Sequence, residues 1–289
     1  MIEVLSLPFQ LPFLRDAMLA ALLVALPCGL LSPFLVMKGW SLIGDAISHA
    51  VLPGVVLAYV LGLPLIVGAF VAGMGSALLT GWLDTRSRIK RDTLMGVVFA
   101  GMFALGLVLI TWVESDVHLD HILFGNLLGV ARAELWTAGV IAALIGAIMA
   151  LRWRDFLLHA FDATQARAAG LRVGWLQNGL LAMISAAVVA ALGAVGIILV
   201  IALLVTPGAI GFLLARSFGA MMLLSVGAAA LSAISGLYLS IALDAAPAAS
   251  IVVVLTGLFL LALGRKRLSA RDAIPLRTPP KERAERETR

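Results

Sequence analysis

Apolar stretches of about twenty residues recur along the whole chain, separated by short polar or glycine-containing segments. A helix needs about 20 consecutive apolar residues to cross the hydrocarbon core of a bilayer. Hydrophobic residues make up 62% of the 289 residues, and charged residues make up only 13%, against about 25% in a typical soluble domain. A single soluble core cannot bury this much apolar surface. The sequence therefore predicts an all-α, polytopic membrane protein with eight or nine transmembrane helices.

The predicted spans follow from the positions of the apolar stretches. Residues 176–215 form an apolar stretch of about 40 residues, which at 1.5 Å per residue is too long for one span. Gly193 and Gly196 are the natural break within it, so it is predicted to hold the sixth and seventh spans. The other spans are predicted at residues 14–37, 40–61, 65–83, 94–113, 134–151, 218–243 and 248–264.

The loops differ in charge, and this difference predicts which of them are cytoplasmic. Segments 84–92 and 152–175 each carry four Lys or Arg residues, and the end of the chain, 265–289, carries nine against four Asp and Glu. Loop 114–121 carries none. Because basic loops stay on the cytoplasmic side, the first three segments are predicted to be cytoplasmic and loop 114–121 external. Counting back, the N-terminus is expected outside, and the protein is expected in a bacterial plasma (inner) membrane.

Two regions of different character are expected along the chain. Residues 1–264 form the transmembrane domain. Residues 265–289 form a basic, disordered cytoplasmic tail, because they are polar and contain three prolines and no apolar pattern to pack. Contact with membrane lipid, and none with nucleic acid, is expected of the protein.

The second span contains two ionisable residues, Asp45 and His49. They are four residues apart and share one face of a helix. Ionisable groups inside a span are costly and normally face protein or water, and both types are competent ligands for Mn²⁺, Fe²⁺ or Zn²⁺. Pro53 and Gly54 follow, and can kink or break the helix just beyond the pair. The spacing alone leaves three hypotheses: a metal site, a proton relay, or an aspartate that caps the helix and bonds to the histidine.

Three sequence motifs, the first of which contains Asp45 and His49, favour one of these hypotheses. They are Gly-Asp-Ala-Ile-Ser-His-Ala-Val-Leu-Pro-Gly at residues 44–54, Leu-Phe-Gly-Asn at 123–126 and Leu-Leu-Val-Thr-Pro at 203–207. In these motifs, and over about residues 14–264, the chain resembles the manganese/zinc/iron permease family of ABC transporters, the ABC-3 type. The third motif departs from the family pattern at Gly208 and Ile210.

The resemblance implies a specific architecture and specific partners. It implies a type II importer permease, of the vitamin-B12-importer type, that works as a homodimer with two ATP-binding cassette subunits and an extracytoplasmic metal-binding protein. It also implies that Asp45 and His49 are intramembrane ligands of the transported metal, with no permanently bound cofactor. Pro53 and Gly54 favour manganese or iron over zinc, because zinc permeases of the family more often lack them.

Two other segments are candidates for function. His118, Asp120 and His121 cluster in the external loop and could receive metal from a binding protein, but the residues themselves favour an ordinary solvated acidic loop. Residues 162–170 read as a short cytoplasmic helix with Asp162 as its N-cap, Ala166 among its small residues, and Gly170 at its end. In permeases of this type such a helix docks on the ATPase. A plain connector is the alternative, and His159 before it belongs to no motif.

The sequence also limits the chemistry. It has no phosphate-binding Gly-x-x-x-x-Gly-Lys-Ser/Thr motif, so the chain is not expected to hydrolyse ATP itself. It has no His-Glu-x-x-His motif either, which argues against an intramembrane metalloprotease. The main alternative to an ABC importer permease is a proton-coupled secondary metal transporter in which Asp45 carries the proton.

Overall fold

The computed structural model of the chain describes residues 11–113 and 127–272. Within these two ranges all regular structure is helical, and nine segments are long and apolar enough to span a membrane. The predicted fold class is therefore confirmed. The helices are α1 (Pro12–Lys38), α2 (Ile43–Ala50), α3 (Leu52–Val60), α4 (Leu65–Arg86), α5 (Arg91–Trp112), α6 (Arg132–Phe161), α7 (Ala163–Ala168), α8 (Val173–Val195), α9 (Ile197–Leu214), α10 (Phe218–Leu243) and α11 (Pro247–Asp272).

The second span consists of two helices, α2 and α3, which meet at Val51. Proline has no N–H, so Pro53 cannot donate a hydrogen bond to the carbonyl four residues earlier, that of His49. The sequence analysis predicted a kink or break just beyond the Asp-His pair, and the helix indeed ends there. Val51 keeps a helical conformation (φ −66°, ψ −30°), so α3 continues in nearly the same direction.

The break between the sixth and seventh spans lies at Gly196. Its backbone (φ 80°, ψ 171°) is in a region that glycine enters without a steric penalty. Gly193, the other predicted break, lies inside α8 and faces the carboxylate of Glu134. Two helices run well beyond their predicted spans. Residues 152–161 continue α6 because they contain no Gly or Pro, and α11 runs eight residues past Gly264. The first part of the predicted disordered tail, residues 265–272, is therefore helical.

The centre of the bundle is α1, which packs against α6, α8, α9 and α10. The contact with α9 is close because the helix contains Pro207 next to Gly208. The Gly208 N–H donates to Ser32 Oγ at 2.7 Å, and Ser32 Oγ donates to the Val205 carbonyl at 3.2 Å. A Cβ at Gly208 would lie 2.6 Å from Ser32 atoms, so a glycine is required. This contact explains the motif at residues 203–207 as a packing feature.

Helices α3 and α4 approach through four small residues. A Cβ built on Gly54 would lie 2.1 Å from the Gly68 carbonyl oxygen, and one built on Gly68 would lie 2.1 Å from the Gly54 carbonyl oxygen. Ala58 and Ala72 complete the contact, each facing the opposite glycine. Each helix thus contributes a small-x-x-x-small pair, which lets membrane helices pack with their backbones in contact.

Removing the end of the chain tests whether the basic tail matters. Truncation after Asp272 is expected to leave uptake per permease molecule within about twofold of the full chain, because residues 273–289 have no apolar pattern to pack. The cut spares α11, whose Lys266 lies 5.7 Å from the Phe212 ring centroid. Residues 273–289 lie outside the described residues, so their disorder stays a prediction. A loss of uptake by the truncated permease, at an unchanged level in the membrane, would show that the tail is needed for transport.

Candidate metal site

The Asp45–His49 pair occupies the partly exposed face of a helix that is otherwise buried. In α2 the Ile43, Ala46, Ile47 and Ala50 positions are buried, whereas the side chains of Asp45 and His49 are 33% and 26% exposed. The amphipathic spacing of the apolar residues fixes this orientation. His49 lies six residues, or about 9 Å, beyond the start of the helix. The predicted pairing on one face is therefore present in the structure.

The His49 ring is held by hydrogen bonding on one side. Its Nδ1 lies 3.0 Å from the Asp45 carbonyl oxygen and 3.3 Å from Asp45 Oδ1. A carbonyl and a carboxylate oxygen accept, so Nδ1 donates, and in the neutral ring this tautomer leaves the lone pair on Nε2. Nε2 has no hydrogen-bond partner in the part of the chain that the structure describes. A carbonyl or carboxylate behind the ring is the usual support of a metal-binding histidine.

Two phenylalanines of α5 hold the other sides of the ring. The ring centroid of His49 lies 5.1 Å from that of Phe99 and 5.4 Å from that of Phe103, the latter at 79° in an edge-on arrangement. The sequence analysis did not identify them. Their four-residue spacing places them on one face of α5, but nothing in the sequence pairs that face with α2. Together with Asp45 they fix the imidazole in one orientation.

The capping hypothesis for Asp45 does not fit this geometry. Helix α2 begins after Leu42, and the helix start has no side-chain cap. Asp45 is the third residue of the helix, and its carboxylate faces His49. The hydrogen bond that this hypothesis expected between the two residues does occur, to the backbone carbonyl at 3.0 Å.

The described residues bring only two candidate ligands together. Within residues 11–113 and 127–272, no three His, Cys, Asp or Glu side chains come together in a way that could hold a metal ion. Asp45 and His49 therefore offer two donors in this part of the chain. His118, Asp120 and His121 lie outside the described residues, so their role stays a prediction.

The short helix predicted at residues 162–170 is present as α7. Asp162 is its N-cap, and its Oδ1 accepts from the N–H groups of Thr164 (2.7 Å) and Gln165 (3.0 Å). Gly170 ends the turn with φ +78°. Ala166, however, is fully buried within its own chain and cannot be a contact residue for a partner. The exposed surface of α7 is instead formed by Thr164, Gln165, Arg167 and Ala168.

His159 proves to be a buried contact residue. It is 2% exposed, and its Nε2 lies 3.2 Å from Nζ of Lys38, the last residue of α1. An ammonium group can only donate, so Nε2 accepts and Nδ1 carries the proton. Nδ1 has no partner among the described residues. The sequence contained one indication of this contact. Lys38 is a basic residue at the end of an apolar helix, and such a residue needs a polar neighbour.

Comparison with known proteins identifies relatives over nearly the whole chain. The family model described as the ABC 3 transport family matches residues 10–266. The chain is 46% identical over 261 residues to the chelated iron transport system membrane protein YfeD of Yersinia pestis, covering 90% of this chain and 88% of that protein. It is 45% identical over 256 residues to the manganese transport system membrane protein MntB of Synechocystis, covering 89% and 84%.

A solved structure has the same fold. The structure of PsaBC from Streptococcus pneumoniae in complex with Fab superposes with a TM-score of 0.84 at 33% identity, covering 94% of this chain and 100% of that one. The arrangement of spans around α1 is therefore shared with a chain of that complex.

Proposed function

Because the chain belongs to the ABC 3 transport family, we propose that it is the membrane-spanning permease subunit of an ATP-driven importer for a divalent transition metal. It is a multi-pass protein of the bacterial inner membrane. The observation that carries the proposal is the Asp45–His49 pair, in which one carboxylate and one oriented imidazole face outward from a membrane-spanning segment. The metal is the transported substrate, and no resident cofactor is proposed.

The exposure of the pair supports a homodimer. A carboxylate that is one-third exposed within a span would face hydrocarbon in a lone chain, which is costly. A second copy related by a two-fold axis would cover this face and bring a second Asp45 and His49 to the axis. Two copies then supply up to four donors, and water completes the coordination. Such a site binds well enough to admit an ion and loosely enough to release it.

The proposed metal is manganese or iron in preference to zinc. Asp and His ligate all three ions, so the donor set alone does not choose among them. The relatives YfeD and MntB are described as iron and manganese transport proteins. The Pro53-Gly54 pair after the histidine also favours manganese or iron, since zinc permeases of the family more often lack it.

The proposed partners are separate subunits. An ATP-binding cassette subunit would hydrolyse ATP, and an extracytoplasmic binding protein would deliver the metal, with His118, Asp120 and His121 as the proposed receiving loop. Phe218, at the start of α10, contacts Phe34 of α1 and Trp153 of α6, so the nearby basic residues Lys38, Arg154 and Arg216 lie toward one side, which the positive-inside rule assigns to the cytoplasm. Helix α7 lies on that side and is the proposed ATPase-docking segment.

Metal-dependent ATP hydrolysis distinguishes the proposal from a proton-coupled transporter. The permease, reconstituted with its ATPase and binding protein, is assayed with Mn²⁺, Fe²⁺ and Zn²⁺. The proposal expects ATP hydrolysis and uptake that rise with Mn²⁺ or Fe²⁺ and need the ATPase. Uptake that requires only a pH gradient, with no ATPase subunit, would support the secondary transporter instead.

A charge on the exposed face of α7 tests the docking segment. Ala168→Glu is expected to weaken association of the ATPase by about tenfold, because one mismatched charge at the centre of an interface costs one to two kcal/mol or more. Permease levels in the membrane should not change, since Ala168 is exposed. Ala246→Glu, exposed at the opposite end, is the control. If the ATPase binds the Ala168→Glu variant as well as it binds the wild type, α7 is only a connector between spans.

A further inference from the structure

Two side-chain contacts join the last turns of α1 and α6. Phe34 lies edge-on to Phe156, with ring centroids 6.5 Å apart. One turn further along both helices, Lys38 Nζ lies 3.2 Å from His159 Nε2. The first contact is apolar and the second is polar, so the pair of helices ends on a hydrogen bond between a cation and a neutral imidazole.

Both residues of the polar contact lie next to segments that the proposed function uses. His159 is three residues before Asp162, which caps α7. Lys38 ends α1, and its ammonium also lies 4.7 Å from the centroid of the Trp40 ring. The carbonyl of Trp40 accepts the N–H of Ile43, the first residue of α2, at 3.1 Å. Asp45 is two residues further along.

We propose that the Lys38–His159 contact couples the ATPase-docking segment to the helix that carries the metal ligands. The inference rests on the proposed function and adds two positioning residues to it. The physical chain is short: α7, the end of α6, the Lys38–His159 hydrogen bond, the buried Trp40 and the first turn of α2. A displacement of α7 by the ATPase would reach Asp45 and His49 through the Lys38–His159 contact, the Trp40 ring and the backbone hydrogen bond that starts α2.

The chemistry of the Lys38–His159 contact suits a link between α1 and α6 that breaks and forms again. Two apolar side chains would hold α1 and α6 together without desolvating an ammonium group, so a half-buried lysine is a costly choice for adhesion alone. Lysine places a point charge on a flexible four-carbon stem, which can follow a moving acceptor. His159 is 2% exposed and offers a single lone pair, so the link has one partner on the α6 side.

The test measures metal moved per ATP hydrolysed by the full permease–ATPase complex in proteoliposomes. Lys38→Met keeps the stem and removes the donor, and His159→Leu removes the acceptor. Each is expected to lower the Mn²⁺ transported per ATP by about tenfold, while complex assembly and basal ATP hydrolysis stay within about twofold. The double variant should be no worse than either single variant, because all three lack the same contact. His159→Gln, which keeps an acceptor, should restore most of the ratio.

The matched control is Arg154→Met, which removes a basic residue from the same end of α6. Its guanidinium lies over Trp153 at 5.4 Å. The control should behave as wild type. Wild-type transport ratios in both Lys38→Met and His159→Leu would overturn the inference, and so would loss of both variants from the membrane with His159→Gln retained, since that outcome assigns the contact to folding. A wild-type complex that moves no metal with ATP would instead overturn the proposed function.

Discussion

Asp45→Asn and His49→Ala are each expected to reduce metal uptake to background while the permease still reaches the membrane and binds its ATPase. Asp45→Asn keeps the size of the side chain and removes its charge. His49→Ala removes the imidazole whose Nε2 lone pair is available. Altering even the supporting residues of a metal ligand commonly costs tenfold to a hundredfold, so loss of a ligand should cost at least about that. The measurement is uptake of radiolabelled Mn²⁺, normalised to permease in the membrane.

The pattern of results separates the three hypotheses for this pair. If Asp45 is a proton carrier, Asp45→Asn should stop uptake and His49→Ala should be tolerated. If the pair only stabilises α2, both variants should lower membrane levels with little change in uptake per molecule. Asp244→Asn is the control, because it removes a carboxylate at a left-handed position (φ 48°) that asparagine also adopts. Near-normal uptake in both site variants would refute the metal site.

Gly54→Val is expected to have the largest effect on stability of any single substitution in the second span. The added Cβ would lie 2.1 Å from the Gly68 carbonyl oxygen, so α3 and α4 must separate along their whole contact. Overpacking of this kind costs about 3 kcal/mol, the upper part of the range for inserted groups, since a backbone cannot move aside as a side chain does. The expected result is a lower melting temperature of the purified permease and less permease in the membrane.

The matched control for this variant lies on α4 itself. Gly75→Val adds the same isopropyl side chain at a position where a Cβ meets nothing within 4 Å. It should change the melting temperature little. A wild-type melting temperature for Gly54→Val would mean that the two helices do not touch through their glycines, whereas a similar loss in both variants would point to helix propensity as the cause.

Local patterns in the sequence were enough to predict the spans and the helix face that Asp45 and His49 share. Apolar runs set the spans, a glycine with positive φ ends α8, and Pro53 ends α2 because it cannot donate to the His49 carbonyl. The four-residue spacing of Asp45 and His49 requires no knowledge of the tertiary fold. Asp162 was likewise identifiable as an N-cap, since capping depends on the next three residues alone.

Contacts between distant helices could not be predicted in this way. Phe99 and Phe103 look like any other lipid-facing residues until α5 is placed beside His49. The small residues of α7 suggested a docking surface at Ala166, but that side chain packs inward. His159 belonged to no motif, because its role depends on Lys38, which is 121 residues away in the chain. In each case the missing information was which helix faces which.

The contact between Ser32 and Gly208 has a consequence for the biosynthesis of the protein. The two residues are 176 positions apart, so Ser32 enters the bilayer long before its partner has been synthesised. At about 5–20 residues per second, the ribosome needs about 10–35 s to reach Gly208. During the first part of that interval α1 lacks all of the helices that surround it in the finished protein, because the earliest of them, α6, begins at Arg132. Its serine hydroxyl then bonds within its own turn, and its small residues are unprotected. Biogenesis therefore depends on α1 persisting in the membrane before its partners are made, and chains interrupted before α6 should be the preferred substrates of membrane proteases.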